Sequence, residues 1–147
     1  MRKSIKYGEN GKGIHSRWYP QTLKKRIQHI AQVRERITFR QIDAFDLIRE
    51  YAGRSDAAIF LDPPYTASKK KAGARLYTHY ALDHRALFEA AASCQGDVLM
   101  TYDNADEIHA LADEFGFMKR LIAMKNNHHA AMTELIIGKD LSWLLAG

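Results

Sequence analysis

The stretch that decides the fold is Ala57-Ala58-Ile59-Phe60-Leu61-Asp62-Pro63-Pro64-Tyr65, an apolar run that ends in a carboxylate, two prolines and an aromatic ring. An uninterrupted apolar run of this length is typical of a strand buried on both faces of a parallel sheet. Two consecutive prolines fix φ and favour extended geometry in the residue before each, so they predict a stiff turn after the strand. Asp62 then stands at the carboxyl end of a strand, where open α/β sheets bind their ligands.

The tetrad Asp62-Pro63-Pro64-Tyr65 suits the transfer of a methyl group to an exocyclic amino nitrogen. The lone pair of an adenine amino group is delocalised into the ring, which makes this nitrogen a poor nucleophile. Two acceptors on its hydrogens, the Asp62 carboxylate and the Pro63 carbonyl, would free the lone pair, and a rigid turn preorganises them. Tyr65 offers a flat face for a base swung out of the helix. The structural alternative is that Asp62 only caps a turn and that Tyr65 only packs.

Around this stretch, apolar strands alternate with amphipathic helices, which is the pattern of an α/β fold. The last two predicted strands should pair antiparallel, because their polar loop is too short for a crossover helix, and the remaining sheet should be mostly parallel. Asn104 with Glu107 predicts a capping box. The predicted strands lie near 37–42, 57–61, 98–102, 118–124 and 133–138, and the predicted helices near 20–34, 83–95 and 104–115, with a further short helix that closes near Gly53.

Length and composition limit the classes of protein to which the chain can belong. The chain has 147 residues and fits a single domain, 1–147, in which residues 1–19 form a basic, flexible amino-terminal segment. A formal net charge of +5 favours polyanionic partners. The single cysteine, Cys94, is expected to be buried in a reducing compartment. Neither a membrane-spanning run nor a signal peptide is seen in the sequence, so we expect a cytoplasmic protein without a membrane partner.

Basic and amide side chains are the candidates for contacts with nucleic acid. A basic–aromatic pair precedes a predicted helix, and a run of lysines follows the tetrad, where it could contact phosphates. The alternative for Lys24, Lys25 and Arg26 is that they only form the solvated face of the predicted helix. The alternative for the basic–aromatic segment at 16–19 is that it only packs against the body of the protein. The two adjacent histidines at 128–129 have no suitably spaced third ligand, so no metal is expected. The nucleic-acid candidates are Arg17, Trp18, Lys24, Lys25, Arg26, Lys69, Lys70, Lys71, Asn126 and Asn127.

From Gly13 to about Ile137 the sequence resembles the later part of Dam-like N6-adenine DNA methyltransferases. The resemblance rests on Ser16-Arg17-Trp18, Ile42-Asp43, the tetrad, Leu76-Tyr77 with His84, Thr101-Tyr102-Asp103-Asn104 and Glu134-Leu135-Ile136-Ile137. It implies a Rossmann-like α/β fold with a seven-stranded sheet and S-adenosylmethionine as methyl donor. It also implies that Asp43, with Ala44, lies beside the adenosine of that cofactor. The position of Asp62 is, by the same resemblance, where cofactor and target adenine meet.

The chain departs from this family at its start. Family members begin with a strand and a Phe-x-Gly-x-Gly loop that carries most of the cofactor contact, and nothing here matches that motif. The chain is therefore expected to be a carboxyl-terminal portion with a partial fold. Because the missing strands occupy the centre of the family's sheet, their loss should expose sheet edges. We expect the isolated chain to bind S-adenosylmethionine weakly.

Several functions are compatible with these observations. The leading one is an N6-adenine DNA methyltransferase, or its catalytic-site half, acting on double-stranded DNA and completed by an amino-terminal methyltransferase segment. The second is a non-catalytic remnant or subunit that binds DNA or such a complementary segment. An RNA adenine methyltransferase is a third, although residues 16–19 favour DNA. An N4-cytosine enzyme is less favoured, because serine more usually stands at the position of Asp62.

Overall fold

The computed structural model describes residues 19–64, 82–125 and 131–145. The chain divides into two compact units, Met1–Gln41 and Ile42–Gly147. Within the described ranges, no helix has the length and apolar content needed to cross a membrane.

The first unit contains helix α1, Pro20–Gln32, and a 3-10 turn, Arg34–Arg36. The helix begins at Pro20 as predicted, since proline is preorganised for a first helical turn. No residue of α1 is buried among the residues described, and Ile27 and Ile30 of its apolar stripe are 66% and 57% exposed.

The predicted strand at 37–42 is wrong, because these residues form no strand in the structure. Its apolar side chains are exposed: Ile37 is 54% and Phe39 is 88% accessible. A strand is stabilised by pairing with a neighbour, so an alternating apolar pattern alone cannot hold one.

The second unit holds one sheet and three α-helices among the residues described. The helices were all predicted, within a few residues of their observed ends. The elements are α2 (Ala44–Tyr51), β1 (Ala58–Leu61), α3 (His84–Ser93), β2 (Asp97–Asp103), α4 (Asp106–Glu114), β3 (Met118–Lys125), β4 (Ala131–Gly138) and a closing 3-10 turn, Ser142–Leu145.

The sheet has four strands in the order β1-β2-β4-β3. Strands β1 and β2 are parallel, whereas β2 with β4 and β3 with β4 are antiparallel. The prediction of a mixed α/β fold with an antiparallel final pair is confirmed, but the prediction of a mostly parallel sheet is wrong. The β3–β4 hairpin inserts its second strand next to β2, so only one parallel pair is formed among the described strands.

The prediction that residues 57–61 are buried on both faces is also wrong. Strand β1 is the last strand of the described sheet, and its side chains alternate between exposed and half-buried. Ile59 and Leu61 lie opposite Val98 and Met100, on the face that the helices cover, whereas Phe60 points the other way and is 62% exposed.

The hydrophobic core lies on the helix-covered face of the sheet. Alternate residues of β2, namely Val98, Met100 and Tyr102, are buried together with Leu135 and Ile137 of β4. The three helices contribute most of the rest, and Cys94 and Phe117 add to the core from the segments after α3 and α4. The helix contributions are Ile48, Leu87, Phe88, Ala91, Ile108 and Ala112.

Local signals fix where the helices and strands begin and end. Asp83 is the N-cap of α3, because its carboxylate accepts a hydrogen bond from the Ala86 backbone N–H at 3.0 Å. Gly116, with φ +73°, ends α4 in a Schellman motif. Gly96 permits a close approach of β2 to the chain before β1, since a Cβ there would lie 2.0 Å from the Ala57 carbonyl oxygen.

The capping box predicted from Asn104 and Glu107 is wrong. Helix α4 begins at Asp106, and its N-cap, Ala105, makes no side-chain cap bond. The side chain of Asn104 binds elsewhere, as described below. The burial predicted for Cys94 is confirmed, and burial raises the pKa of its thiol.

Candidate functional site

The Asp62 carboxylate stands at the carboxyl end of β1, as the sequence predicts. The register of the parallel pair places Leu61 opposite Met100, so Asp62 follows alongside Thr101 of β2. The Thr101 hydroxyl donates a hydrogen bond of 2.7 Å to Asp62 Oδ1. Asp62 is exposed and Thr101 is half-buried. The carboxylate is therefore fixed by a neighbouring strand while it stays open to a ligand.

Pro63 and Pro64 continue the chain from Asp62 and are both half-buried. Each lacks a backbone N–H and has a fixed φ, which removes two degrees of freedom next to the carboxylate. The Pro63 carbonyl, the second predicted acceptor, belongs to this restricted segment. Both predicted acceptors therefore lie on a segment whose backbone is restricted.

A polar network at the end of β2 connects it to β4 and α4. The Asn104 amide donates to the Thr133 hydroxyl at 3.3 Å, and the ring Nε2–H of His109 donates to Asn104 Oδ1 at 2.8 Å. Asp103 lies directly across from Glu134 in the antiparallel register. The Asn104 side chain thus connects β4 with α4. The sequence did not predict this role, because no local signal joins residues 104, 109 and 133.

The half-buried His84 contacts the fully buried Tyr102 on the core face of β2. Their rings meet edge to face at 5.6 Å, and His84 Nδ1 lies 3.0 Å from the Tyr102 hydroxyl. Burial raises the pKa of Tyr102 well above its ordinary value, so the phenol keeps its proton. Burial also lowers the pKa of His84, although the charges of nearby carboxylates oppose this effect. A neutral imidazole whose Nδ1 accepts a hydrogen bond from the Tyr102 O–H fits both shifts.

This pair joins the first turn of α3 to the middle of the sheet. His84 thus packs against a core residue that lies 18 positions further along the sequence. A cleft of about 450 Å³ opens between α3 and α4 next to His84. Its rim carries the ion pair of Arg85 with Glu114, and none of its lining residues is a predicted site residue.

Asp43 stabilises the start of α2. Its Oδ1 accepts a hydrogen bond of 2.8 Å from the Phe45 backbone N–H, which makes Asp43 the N-cap of α2. Ala44 is the first residue of that helix, and both are exposed. The sequence predicted Asp43 at the end of a strand, but the residues before it form none.

The nucleic-acid candidates divide into described residues and residues outside the described ranges. Lys24, Lys25 and Arg26 are exposed on α1, in the first unit. No group of three or more potential metal ligands occurs among the described residues, so the structure offers no candidate metal site there. Outside the described ranges lie Arg17, Trp18, Tyr65, Lys69, Lys70, Lys71, Asn126 and Asn127.

The fold and site together define an α/β protein with a carboxylate and a stiff diproline turn at the carboxyl end of a parallel strand. Residues 6–125 match the family model of D12 class N6 adenine-specific DNA methyltransferases. This match covers more than half of the chain, and the chain therefore belongs to that family. The comparison with curated proteins gives no match.

Membership of the family defines the chemistry. These proteins are enzymes that methylate the N6 amino group of adenine in DNA, and methyltransferases of this kind generally use S-adenosylmethionine as methyl donor. The resemblance to N6-adenine DNA methyltransferases inferred from the sequence is confirmed. DNA is accordingly the macromolecule on which the family acts.

Proposed function

We propose that Asp62, Pro63, Pro64 and Tyr65 form the catalytic site of this methyltransferase. The observation that carries the proposal is the exposed Asp62 carboxylate at the end of β1, held at 2.7 Å by the Thr101 hydroxyl and followed by two prolines. One amino hydrogen of adenine would bind the carboxylate and the other the Pro63 carbonyl. Both acceptors favour a nitrogen with a localised lone pair, which is the nucleophile the reaction needs. Tyr65 would stack on the flipped base.

S-adenosylmethionine supplies the electrophilic methyl group when it is bound. Asp62 is the residue that we assign to both the cofactor and the target base. Asp43 and Ala44 are assigned to the adenosine of the cofactor, and the cap that Asp43 forms on α2 supports a fixed carboxylate at that position. The same proposal includes the fold: the chain forms a single domain with a partial Rossmann-like methyltransferase fold.

Double-stranded DNA is the proposed substrate, with the basic residues of two segments as phosphate contacts. The exposed lysines and arginine of α1 support the first segment, since exposed cations release counterions when they bind phosphates. Trp18 with Arg17, the run of lysines at 69–71 and the amides Asn126 and Asn127 complete the set. Binding should weaken steeply as the salt concentration rises.

A complementary methyltransferase segment is the proposed protein partner. Its support is the position of β1, which ends the described sheet and carries Phe60, a residue that is 62% exposed. A further strand beside β1 would pair with its outer edge and cover apolar surface. The same observation favours the second candidate function, a non-catalytic subunit that binds DNA or such a segment.

Methyl transfer from labelled S-adenosylmethionine to adenine-containing DNA tests the catalytic assignment. The assay is run with the chain alone and with a methyltransferase segment that carries the Phe-x-Gly-x-Gly motif. Asp62→Asn keeps the size and one acceptor oxygen but removes the charge, so we expect a loss of roughly a hundredfold or more. Asp97→Asn is the matched control, because Asp97 is exposed at the amino end of β2 and should leave the rate unchanged.

Variants of Tyr65 separate stacking from hydroxyl chemistry. Tyr65→Phe should be mild, whereas Tyr65→Ala should cost about 1–3 kcal/mol in binding of the flipped base. An enzyme that tolerates Asp62→Asn but loses activity in Tyr65→Phe would contradict the proposed role of the carboxylate. A chain that transfers no methyl group under either condition would support the non-catalytic alternative.

A further inference from the structure

The Thr101 side chain contacts the proposed catalytic carboxylate: its Oγ1 lies 2.7 Å from Asp62 Oδ1. The contact follows from the sheet register, in which Leu61 pairs with Met100 and the next residue along β2 is Thr101. The two residues are 39 positions apart in the sequence. Their proximity is therefore a product of the parallel pair and not of local structure.

The hydrogen bond restricts an otherwise free side chain. A hydroxyl has one proton to donate, and a carboxylate has about four lone-pair sites, so most of the Asp62 acceptor capacity stays available. Oδ1 is anchored and Oδ2 remains for a second donor. An exposed carboxylate without such a bond would sample several rotamers, whereas a donor at 2.7 Å favours the one that keeps this contact.

The donor itself stands on a rigid element. Thr101 belongs to β2, which pairs with β1 on one side and β4 on the other. Its neighbours in sequence, Met100 and Tyr102, are both 0% exposed and anchor the strand to the core. Threonine is also stiff at χ1 because it is branched at Cβ. A residue held in this way can position a partner far better than one on a loop.

We propose that Thr101 is a positioning residue for methyl transfer, which orients the Asp62 carboxylate so that its remaining oxygen accepts a hydrogen bond from the target amino group. The inference rests on the proposed function, because it gives Thr101 a role only through Asp62. A purely structural role, in which the bond only ties the turn after β1 to β2, is the competing explanation.

The first experiment measures how well the protein recognises the amino group itself. Affinity is compared between a single-stranded oligonucleotide that contains adenines and the same oligonucleotide with purine, which lacks the 6-amino group, at those positions. A hydrogen bond to a charged acceptor gives the wild-type chain an expected preference of about tenfold or more for adenine. Thr101→Val should reduce this preference to about threefold, and Thr101→Ser, which restores the hydroxyl, should return it.

The second experiment observes Asp62 without any ligand. Scalar couplings in the NMR spectrum report whether the Asp62 χ1 angle is fixed or averaged. We expect one rotamer in the wild-type chain and in Thr101→Ser, and rotamer averaging in Thr101→Val. Thr133→Val is the matched control, because it removes the same hydroxyl from β4, where Thr133 binds Asn104 and not Asp62. Urea denaturation of each variant verifies that the sheet is intact.

The outcomes separate the inference from the proposed function. If the wild-type chain prefers adenine and Asp62→Ala abolishes the preference, the proposed function stands, and an unchanged preference in Thr101→Val then overturns the role of Thr101. An Asp62 rotamer that stays fixed in Thr101→Val overturns it as well. If the wild-type chain does not distinguish adenine from purine, the proposed function fails, and the inference fails with it.

Discussion

Strands β1 and β2 lie side by side in parallel and are both rich in apolar residues, and Asp62 follows β1 while β2 ends in Asp103, yet the two strands differ sharply in burial. Every second residue of β2 is buried, and Met100 and Tyr102 are fully so. In β1 no residue is buried, and Phe60 is 62% exposed. The difference lies in position: β2 has a partner on each side, whereas β1 ends the described sheet.

An apolar run predicts a strand but not which neighbouring elements will cover that strand. The run at 57–61 and the core of β2 would serve equally well in the interior of a sheet. The exposed side chains of β1 are the observation on which the partner segment proposed above rests. The difference in burial also predicts that equivalent substitutions in the two strands have unequal effects.

The largest effect on stability is expected from truncation in β2. Met100→Ala removes a side chain that is 0% exposed, so unfolding should become easier by about 2–5 kcal/mol. Phe60→Ala removes a larger side chain that is mostly in water and should change stability by no more than about 0.5 kcal/mol. Urea denaturation measures both. Equal losses would show that β1 is as well packed as β2.

The contact that joins the two strands is tested at Gly96. A Cβ at this position would meet the Ala57 carbonyl oxygen at 2.0 Å, and the Asp97 N–H donates to that same oxygen at 3.0 Å. Gly96→Ala should therefore separate the strands at their amino ends and destabilise the fold by about 1–3 kcal/mol. Gly53→Ala is the control, since nothing lies within 4 Å of a Cβ there. A Gly96→Ala variant as stable as Gly53→Ala would contradict this geometry.

Smaller effects are expected from the two carboxylates that cap helices beside β1 and β2. Asp43 and Asp83 each accept a backbone N–H at the start of a helix, and each replacement by alanine should cost about 1 kcal/mol. Only Asp43→Ala should also weaken binding of S-adenosylmethionine, measured by calorimetry. A loss of cofactor affinity in both variants would assign the effect to stability and not to a ligand contact.

The smallest expected effect is a pH dependence that arises from His84. Burial lowers the pKa of His84 in the folded protein. At pH values below the ordinary histidine pKa of about 6.5, the unfolded chain therefore binds a proton at this residue more readily than the folded protein does. Stability should therefore fall as the pH drops from about 7 through that window. His84→Gln keeps a polar group beside Tyr102 without titrating, and its unfolding should depend less on pH. Identical pH profiles for the two proteins would exclude this role.

Much of the fold was predictable because its signals are local. Pro20, Asp83 and Gly116 act on the backbone beside them, and the helical spacing of the apolar residues in α3 and α4 predicts which side is buried. The two wrong strand predictions also have a common cause. The predicted strand at 37–42 and the two-sided burial of β1 both need a neighbouring strand, which a local pattern cannot supply. The capping box at Asn104 failed because its amide binds Thr133 and His109, residues that only the tertiary structure brings near.

Residue types and short spacings were enough to predict the family, the tetrad with its carboxylate and the order of the helices and strands after residue 43. These depend on residue types and on spacings of a few positions, which any conformation of the chain preserves. Only the tertiary structure decided that β4 lies between β2 and β3, that β1 ends the described sheet and that Thr101 holds Asp62. Those facts depend on which strands pair and in what register, and pairing is settled by competition among strands far apart in the chain.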